Sequence, residues 1–496
     1  MTNITKIQPT KRTTAQTGLV MLLGAPMLLV LGTALGLSNE PTLKGIGIAI
    51  VGLAAGLMIL QLGRGPIDPL GPAAFITYSH ILLFILRPAY GFFYQDNINL
   101  FTQTPFDSST LWAQVIAATG YISLSIGIRL GSRKYLGSER AQPLLFEPTR
   151  DRAIILPLWL TVGLGFALYV VYIRQTGWGN YLTILKTGRT LESSQALESS
   201  SAYFYAGLSV ATGALLLIFM LDLYRNNRLG ATLALMLVLL CLVPSFASGS
   251  RSVFIPTLAA LVIVFRSRFP RAFSFRRLLI WSPAVFIVLF IAPRVWRVGL
   301  AQGGSLSQSL ADAFLPQNYL DGFLGGYDTA MLDSFSLQVQ AQNSGMIGHQ
   351  YGSTYLSLLV AIVPRTLWPS KPVTVDQVLN AYLFPATNSQ GIGFSFGFYS
   401  EPFLNFGPLG VAVVCIIFGF ALERLFTKAT SSSDIVLRYS AIMASTYMFT
   451  LMRGSISFDS QRLLIAIIPA LIAVWMGRRM FSTASRSHPI KIGGTR

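Results

Sequence analysis

The chain has 496 residues, of which 52% are hydrophobic and only 11% charged, and its mean hydropathy is +0.57. Apolar runs of bilayer-spanning length recur along it, which excludes a soluble globular protein. The net charge of +18 and the pI near 10.1 are no argument for nucleic-acid binding, because the placement of the cations along the spans accounts for them.

Taken in chain order, Lys6, Lys11 and Arg12 precede an apolar run that begins at Gly18. The pattern is similar to a signal peptide, but the run continues for about 20 residues, the length of a bilayer span, and is read as a retained first helix. Spans are predicted near 18–37, 44–62, 70–87, 109–129, 153–173, 202–221, 230–247, 252–265, 278–293, 405–423, 435–452 and 462–477. Twelve spans put both termini on one side. With the N-terminus in the cytoplasm, cytoplasmic segments hold 25 of the 37 basic residues and 7 of the 19 acidic ones, as the positive-inside bias requires. The opposite face is neutral overall, so the basic pI reflects orientation and contact with anionic membrane lipid.

The expected organisation is an all-α polytopic membrane protein with a nine-span N-terminal bundle over 1–295, a loop region over 296–404, and a three-span C-terminal bundle with a basic tail over 405–496. Leu356 to Val363 is too short to cross unaided, and counting it would reverse the side of Arg424, Lys428, Arg478 and Arg479; it is read as a re-entrant or interfacial helix. Segments 88–108 and 174–201 are smaller external loops. No repeat of fixed period points to an inverted-repeat transporter. Cys241 and Cys415 lie in apolar segments without metal or disulfide spacing, and no metal or cofactor is expected.

Against this topology Arg251, Arg294, Arg297, Arg365 and Arg453 stand at the wrong, outer ends of spans. A cation near hydrocarbon is costly unless an anion compensates it. Arg251 follows Gly249 and Ser250 and opens a short span; it reads equally as an anion ligand or as a helix-end arginine that snorkels. Arg294 and Arg297, three apart with Trp296 between them, share a helix face. Guanidinium forks match phosphate oxygens, so a diphosphate would satisfy both; an interfacial Arg and Trp belt is the competing reading. Pro364-Arg365-Thr366-Leu367-Trp368-Pro369-Ser370-Lys371-Pro372 holds two cations in a proline-stiffened turn. Arg453 and Arg462 flank the last external loop, where an Asp459–Arg462 ion pair is expected, and Arg87 before Pro88 belongs to the same class as Arg251.

For a general base the external carboxylates form the pool, joined by His80 and His349, with His80 read mainly as a polar residue of the bundle interior. Glu401, in the string Glu401-Pro402-Phe403-Leu404-Asn405-Phe406-Gly407 above the tenth span, is the leading candidate to deprotonate or orient an acceptor hydroxyl; the alternative is that it braces the start of that helix. Asp312, Asp321, Asp328 and Asp333 are expected to be mostly solvated loop charges.

Three of these strings, Ser248-Gly249-Ser250-Arg251, the Pro364 to Pro372 turn, and Glu401 to Gly407 leading into a span, resemble the Wzy-type oligosaccharide repeat-unit (O-antigen) polymerases. The resemblance runs from about the first span to the last. It implies a metal-independent glycosyltransferase with a GT-C-like fold. Such an enzyme moves a growing glycan from undecaprenyl diphosphate to the non-reducing end of a fresh lipid-linked repeat unit, at the periplasmic side of the bacterial inner membrane. Arg251 and Arg365 match motif positions of the family; Arg294, Arg297, Lys371 and Arg453 are added as diphosphate ligands on physical grounds. The implied partners are the lipid-linked donor and acceptor, membrane lipid, and a chain-length regulator and flippase of the same pathway. External aromatics such as Tyr351, Tyr355, Trp368, Phe396 and Tyr399 are candidates to stack on sugars. The rival readings are an O-antigen ligase, which hands the same donor glycan to lipid A core, and a non-catalytic lipid-linked oligosaccharide flippase. A transporter is expected to expose basic residues deep in its spans toward the cytoplasm; here the candidates sit only near the outer ends.

Overall fold

The computed structural model describes residues 25–61, 70–94, 98–132, 153–187, 201–247, 251–269, 323–361, 367–389 and 393–487, with isolated positions between them. In chain order the helices are α1 (Ala25–Gly36), α2 (Pro41–Gln61), α3 (Pro72–Tyr94), α4 (Ser108–Ser132), α5 (Ile155–Thr176), α6 (Trp178–Thr187), α7 (Ser201–Tyr224), α8 (Arg228–Ala247) and α9 (Arg251–Arg268). They continue as α10 (Met331–Asn343), α11 (Ser353–Leu359), α12 (Val375–Leu383), α13 (Pro385–Ser389), α14 (Ser400–Ser431), α15 (Ile435–Arg453) and α16 (Ile456–Ser487). Among the described residues the only β pairing is an isolated bridge from Ile98 to Pro105.

Nine of these helices are long and apolar enough to cross a membrane among the described residues: α2, α3, α4, α5, α7, α8, α14, α15 and α16. Of the three other expected spans, α1 and α9 are helical where the sequence places them, and the one near 278–293 lies outside the described residues. The short helix expected over Leu356–Val363 is observed as α11, which starts three residues earlier and ends at Leu359, seven residues long and too short to cross. The protein is thus an all-α polytopic membrane protein.

Lipid tails are as apolar as leucine, so spans gain little by hiding apolar faces from lipid and associate instead by close backbone approach through small residues. The α4–α14 pair uses this device. A β-carbon added at Gly127 or Gly131 of α4 would run into the carbonyl oxygens of Ile416 or Phe420, and one at Gly419 of α14 would run into that of Leu124. Gly165 of α5 meets Gly207 and Ala211 of α7 in the same way.

Contacts between loops divide the bundle into two polar ends. At one end Arg266 approaches Asp68 at 4.0 Å, Arg478 pairs with Asp434 at 2.9 Å, and Tyr224 bonds Ser267. At the other end the segment from 323 to 399 folds over the termini of α3, α14, α15 and α16. These are the basic end and the loop end. Helix α14 enters from the loop end through a break: Gly407, followed by Pro408, adopts φ 67° and ψ −161°, so Ser400–Phe406 forms a separate turn above the span. That left-handed value is one that glycine alone adopts at no steric cost.

Candidate functional site

The loop end is organised by Glu401, which is fully buried in the first turn of α14. Its Oε1 accepts from the Thr354 hydroxyl at 2.8 Å, and Oε2 accepts from the Ser457 backbone N–H at 2.8 Å. One carboxylate therefore ties together α11, α14 and the start of α16. Four residues on, Asn405 donates to Thr354 Oγ1 and to the Glu401 carbonyl while its Oδ1 accepts from the Gly352 N–H at 2.7 Å. Ser400 and Gln338 bond each other reciprocally, which fixes α10 to the same turn. Buried groups of this kind persist because each has its partner.

A second tie fastens α3 to α10. Arg87 and Asp333, both with fully buried side chains, are 2.8 Å apart, and Asp333 Oδ2 also accepts from the Leu100 N–H. Asn99 donates to the Asp333 carbonyl and to Ser336, so the loop after α3 is pinned to α10. Burial still holds the Asp333 carboxyl above its ordinary range, with the Arg87 guanidinium opposing. Arg87 is thus a paired, buried residue, and Asp333 departs from the expected solvated loop charge. Asp328 is paired as well, with Arg453, while Asp312 and Asp321 lie outside the described residues.

A third cluster surrounds the turn between α15 and α16. The expected Asp459–Arg462 pair forms at 3.1 Å, and the Arg462 guanidinium lies 4.2 Å from the centre of the Phe458 ring. Asp459 Oδ2 accepts from the Ser455 N–H, and the Ser455 hydroxyl donates to Asp376 Oδ2 at 2.7 Å. Asp376 stands in the first turn of α12, which opens with a capping box of Thr374 and Gln377. Its Oδ1 is buried without a partner. Burial pushes this carboxyl up to about 7; the Ser455 hydrogen bond opposes the rise, and the neighbouring carboxylates Asp459 and Glu401 add to it.

Of the cations expected to hold a diphosphate, Lys371 and Arg453 lie at this end. Lys371 Nζ donates to the Val363 carbonyl at 2.7 Å, and Arg453 directs Nε and Nη2 at Asp328. Arg251 is the first residue of α9. Arg294, Arg297 and Arg365 lie outside the described residues. The candidate aromatics divide by exposure: Tyr351 is 81% and Trp368 42% exposed, Tyr355 is half-buried against Phe406, and Phe396 and Tyr399 are core residues that no sugar ring can reach. His349 is exposed, with Nδ1 3.2 Å from the Leu404 carbonyl. His80 is fully buried, as expected of an interior residue, with Nδ1 3.2 Å from the Tyr399 hydroxyl.

Thr354 and Ser457 escaped the reading of the sequence, and Asp376 stood in the pool of external carboxylates without being singled out. Only Asp376 carries a local signal, since Thr374-Val375-Asp376-Gln377 is a helix-start pattern with an acid in the first turn. The other two matter through contacts made across roughly fifty residues and more.

The family model for O-antigen polysaccharide polymerase Wzy matches residues 74–484. No curated protein and no solved structure matches the chain. The match takes in all three ties of the loop end and most of the spans beneath them, and on that extent the chain belongs to the Wzy family of O-antigen polysaccharide polymerases.

Proposed function

We propose that the chain polymerises undecaprenyl-diphosphate-linked repeat units at the periplasmic face of the bacterial inner membrane, without a metal ion. The family match over 74–484 carries this reading and favours polymerisation over ligation to lipid A core and over transport. In this proposal Arg251, Arg294, Arg297, Arg365, Lys371 and Arg453 bind the donor and acceptor diphosphates. Arg251 and Arg365 neutralise the charge that develops on the leaving diphosphate, and preorganised cations in a water-poor site do this at low reorganisation cost. Glu401 contributes by holding α11, α14 and α16 in register, because both of its oxygens already accept buried hydrogen bonds. The exposed rings of Tyr351 and Trp368 offer faces for sugars.

The loop end is assigned to the periplasm because the opposite end gathers Arg266, Arg268, Arg424, Arg478 and Arg479. Two experiments test the proposal. Arg251→Ala and Arg365→Ala, expressed at normal levels, are expected to abolish the full-length polysaccharide ladder; unchanged ladders would remove the diphosphate role. A cysteine at position 424 is expected to resist an impermeant thiol reagent added from the periplasm, and labelling from that side would overturn the orientation.

A further inference from the structure

Where glycosyl transfer is the reaction, an acceptor hydroxyl must lose a proton as it attacks. We infer that Asp376 is the group that takes this proton, an inference that rests on the polymerase reading above. The geometry differs from that of every other carboxylate described at the loop end. Glu401 has both oxygens occupied, Asp459 accepts from Arg462 and from the Ser455 N–H, and Asp328 is taken by Arg453; Asp333 also has an Oδ1 without a partner, but the residue is fully buried and paired with Arg87. Asp376 alone among these combines partial exposure with a carboxylate oxygen, Oδ1, that is shielded from water and has no partner. A buried acceptor without a donor is costly, and a hydroxyl supplied by a substrate would satisfy it.

The second oxygen, Oδ2, is held by Ser455, so the carboxylate is oriented before any substrate arrives. Ser455 lies between Arg453 and Arg462, and the Arg462 side chain is 37% exposed. Arg453, one of the proposed diphosphate ligands, therefore stands two residues before the proton acceptor's anchor in the chain. The step balances without a further reactant. The acceptor oxygen bonds to the anomeric carbon of the donor, and the bond from that carbon to the diphosphate oxygen breaks with its electron pair on the diphosphate. The hydroxyl proton passes to Asp376 Oδ1.

The charged groups around Asp376 are Asp459 and Arg462 of α16 and Glu401 of α14. Burial and the two carboxylates set its titration near neutrality, where a general base is most effective. Activity should accordingly rise with pH through about 7.

The test uses purified full-length protein, synthetic undecaprenyl-diphosphate repeat units, and initial rates across pH. Asp376→Asn is expected to lower kcat about 100-fold or more, with the KM for lipid-linked units and the unfolding temperature near wild type, and Asp376→Glu should restore part of the rate. Ser455→Ala removes a hydrogen bond that favours the carboxylate, so the midpoint of its acid limb should move to higher pH. A full rate in Asp376→Asn, or an unmoved acid limb in Ser455→Ala, would overturn the assignment even while the wild type polymerises. If Asp376→Asn does not fold, the Ser455→Ala profile decides alone. Absence of any polymer from active-pathway substrates with the wild type would instead contradict the polymerase reading itself.

Discussion

The two polar ends of the bundle differ in how their best-defined ion pairs are held. At the basic end the Asp434–Arg478 ion pair is partly exposed, with 39% and 27% of the side chains in contact with the surroundings, Arg479 lies over Trp475 and Arg424 over Phe420, while Asp222 and Glu423 are buried. At the loop end Glu401 and Asp333 are fully buried and Asp459 is 2% exposed, each with named partners. Surface ion pairs are worth little, whereas a buried charge that loses its partner is costly. An excess of cations therefore marks orientation, and buried carboxylates mark where the chain has committed energy to one arrangement.

Substitutions that remove one charge at each end should separate the two regimes. The largest effect is expected for Asp333→Ala, which leaves Arg87 without its buried counter-ion and should cost about 3–5 kcal/mol, read as a lower unfolding temperature in detergent and reduced accumulation. Replacing both partners, Arg87→Met with Asp333→Leu, should recover much of that loss, and a double variant as unstable as the single one would show that the pair is worth more than its desolvation. Next comes Glu401→Ala, which strips acceptors from the Thr354 hydroxyl and the Ser457 N–H. Each orphaned donor costs about 1–3 kcal/mol, so turnover and thermal stability should fall together. Glu401→Gln keeps the shape and should fall less on both measures; a variant of normal stability with no turnover would return Glu401 to the role of proton acceptor. The smallest effect is expected for Asp434→Ala at the basic end, below about 1 kcal/mol and weaker still in high salt. A loss there as large as that at Asp333 would break the contrast between the ends.

What the sequence made legible follows the same division. Long apolar runs depend on local composition alone, so nine of the twelve expected spans could be read directly among the described residues, as could the Asp459–Arg462 pair three residues apart. The pairing of Asp333 could not, because its partner Arg87 is 246 residues away and a carboxylate in a polar loop looks solvated until the fold closes over it. Phe396 and Tyr399 misled for the related reason that an aromatic in a long loop serves as its core as readily as its surface. The break at Gly407 and Pro408 lies in the expected motif, but its use, to hang Glu401 and Asn405 above the span, depends on Thr354 and Gly352, some fifty residues upstream.

The most direct measurement is polymerisation by the purified protein from lipid-linked repeat units, with and without a chelator. A ladder of lipid-linked glycans of equal intensity in both reactions is the expected result. Transfer only to lipid A core, no growth of any product, or a ladder that disappears with the chelator and returns with a divalent cation would contradict a metal-independent repeat-unit polymerase.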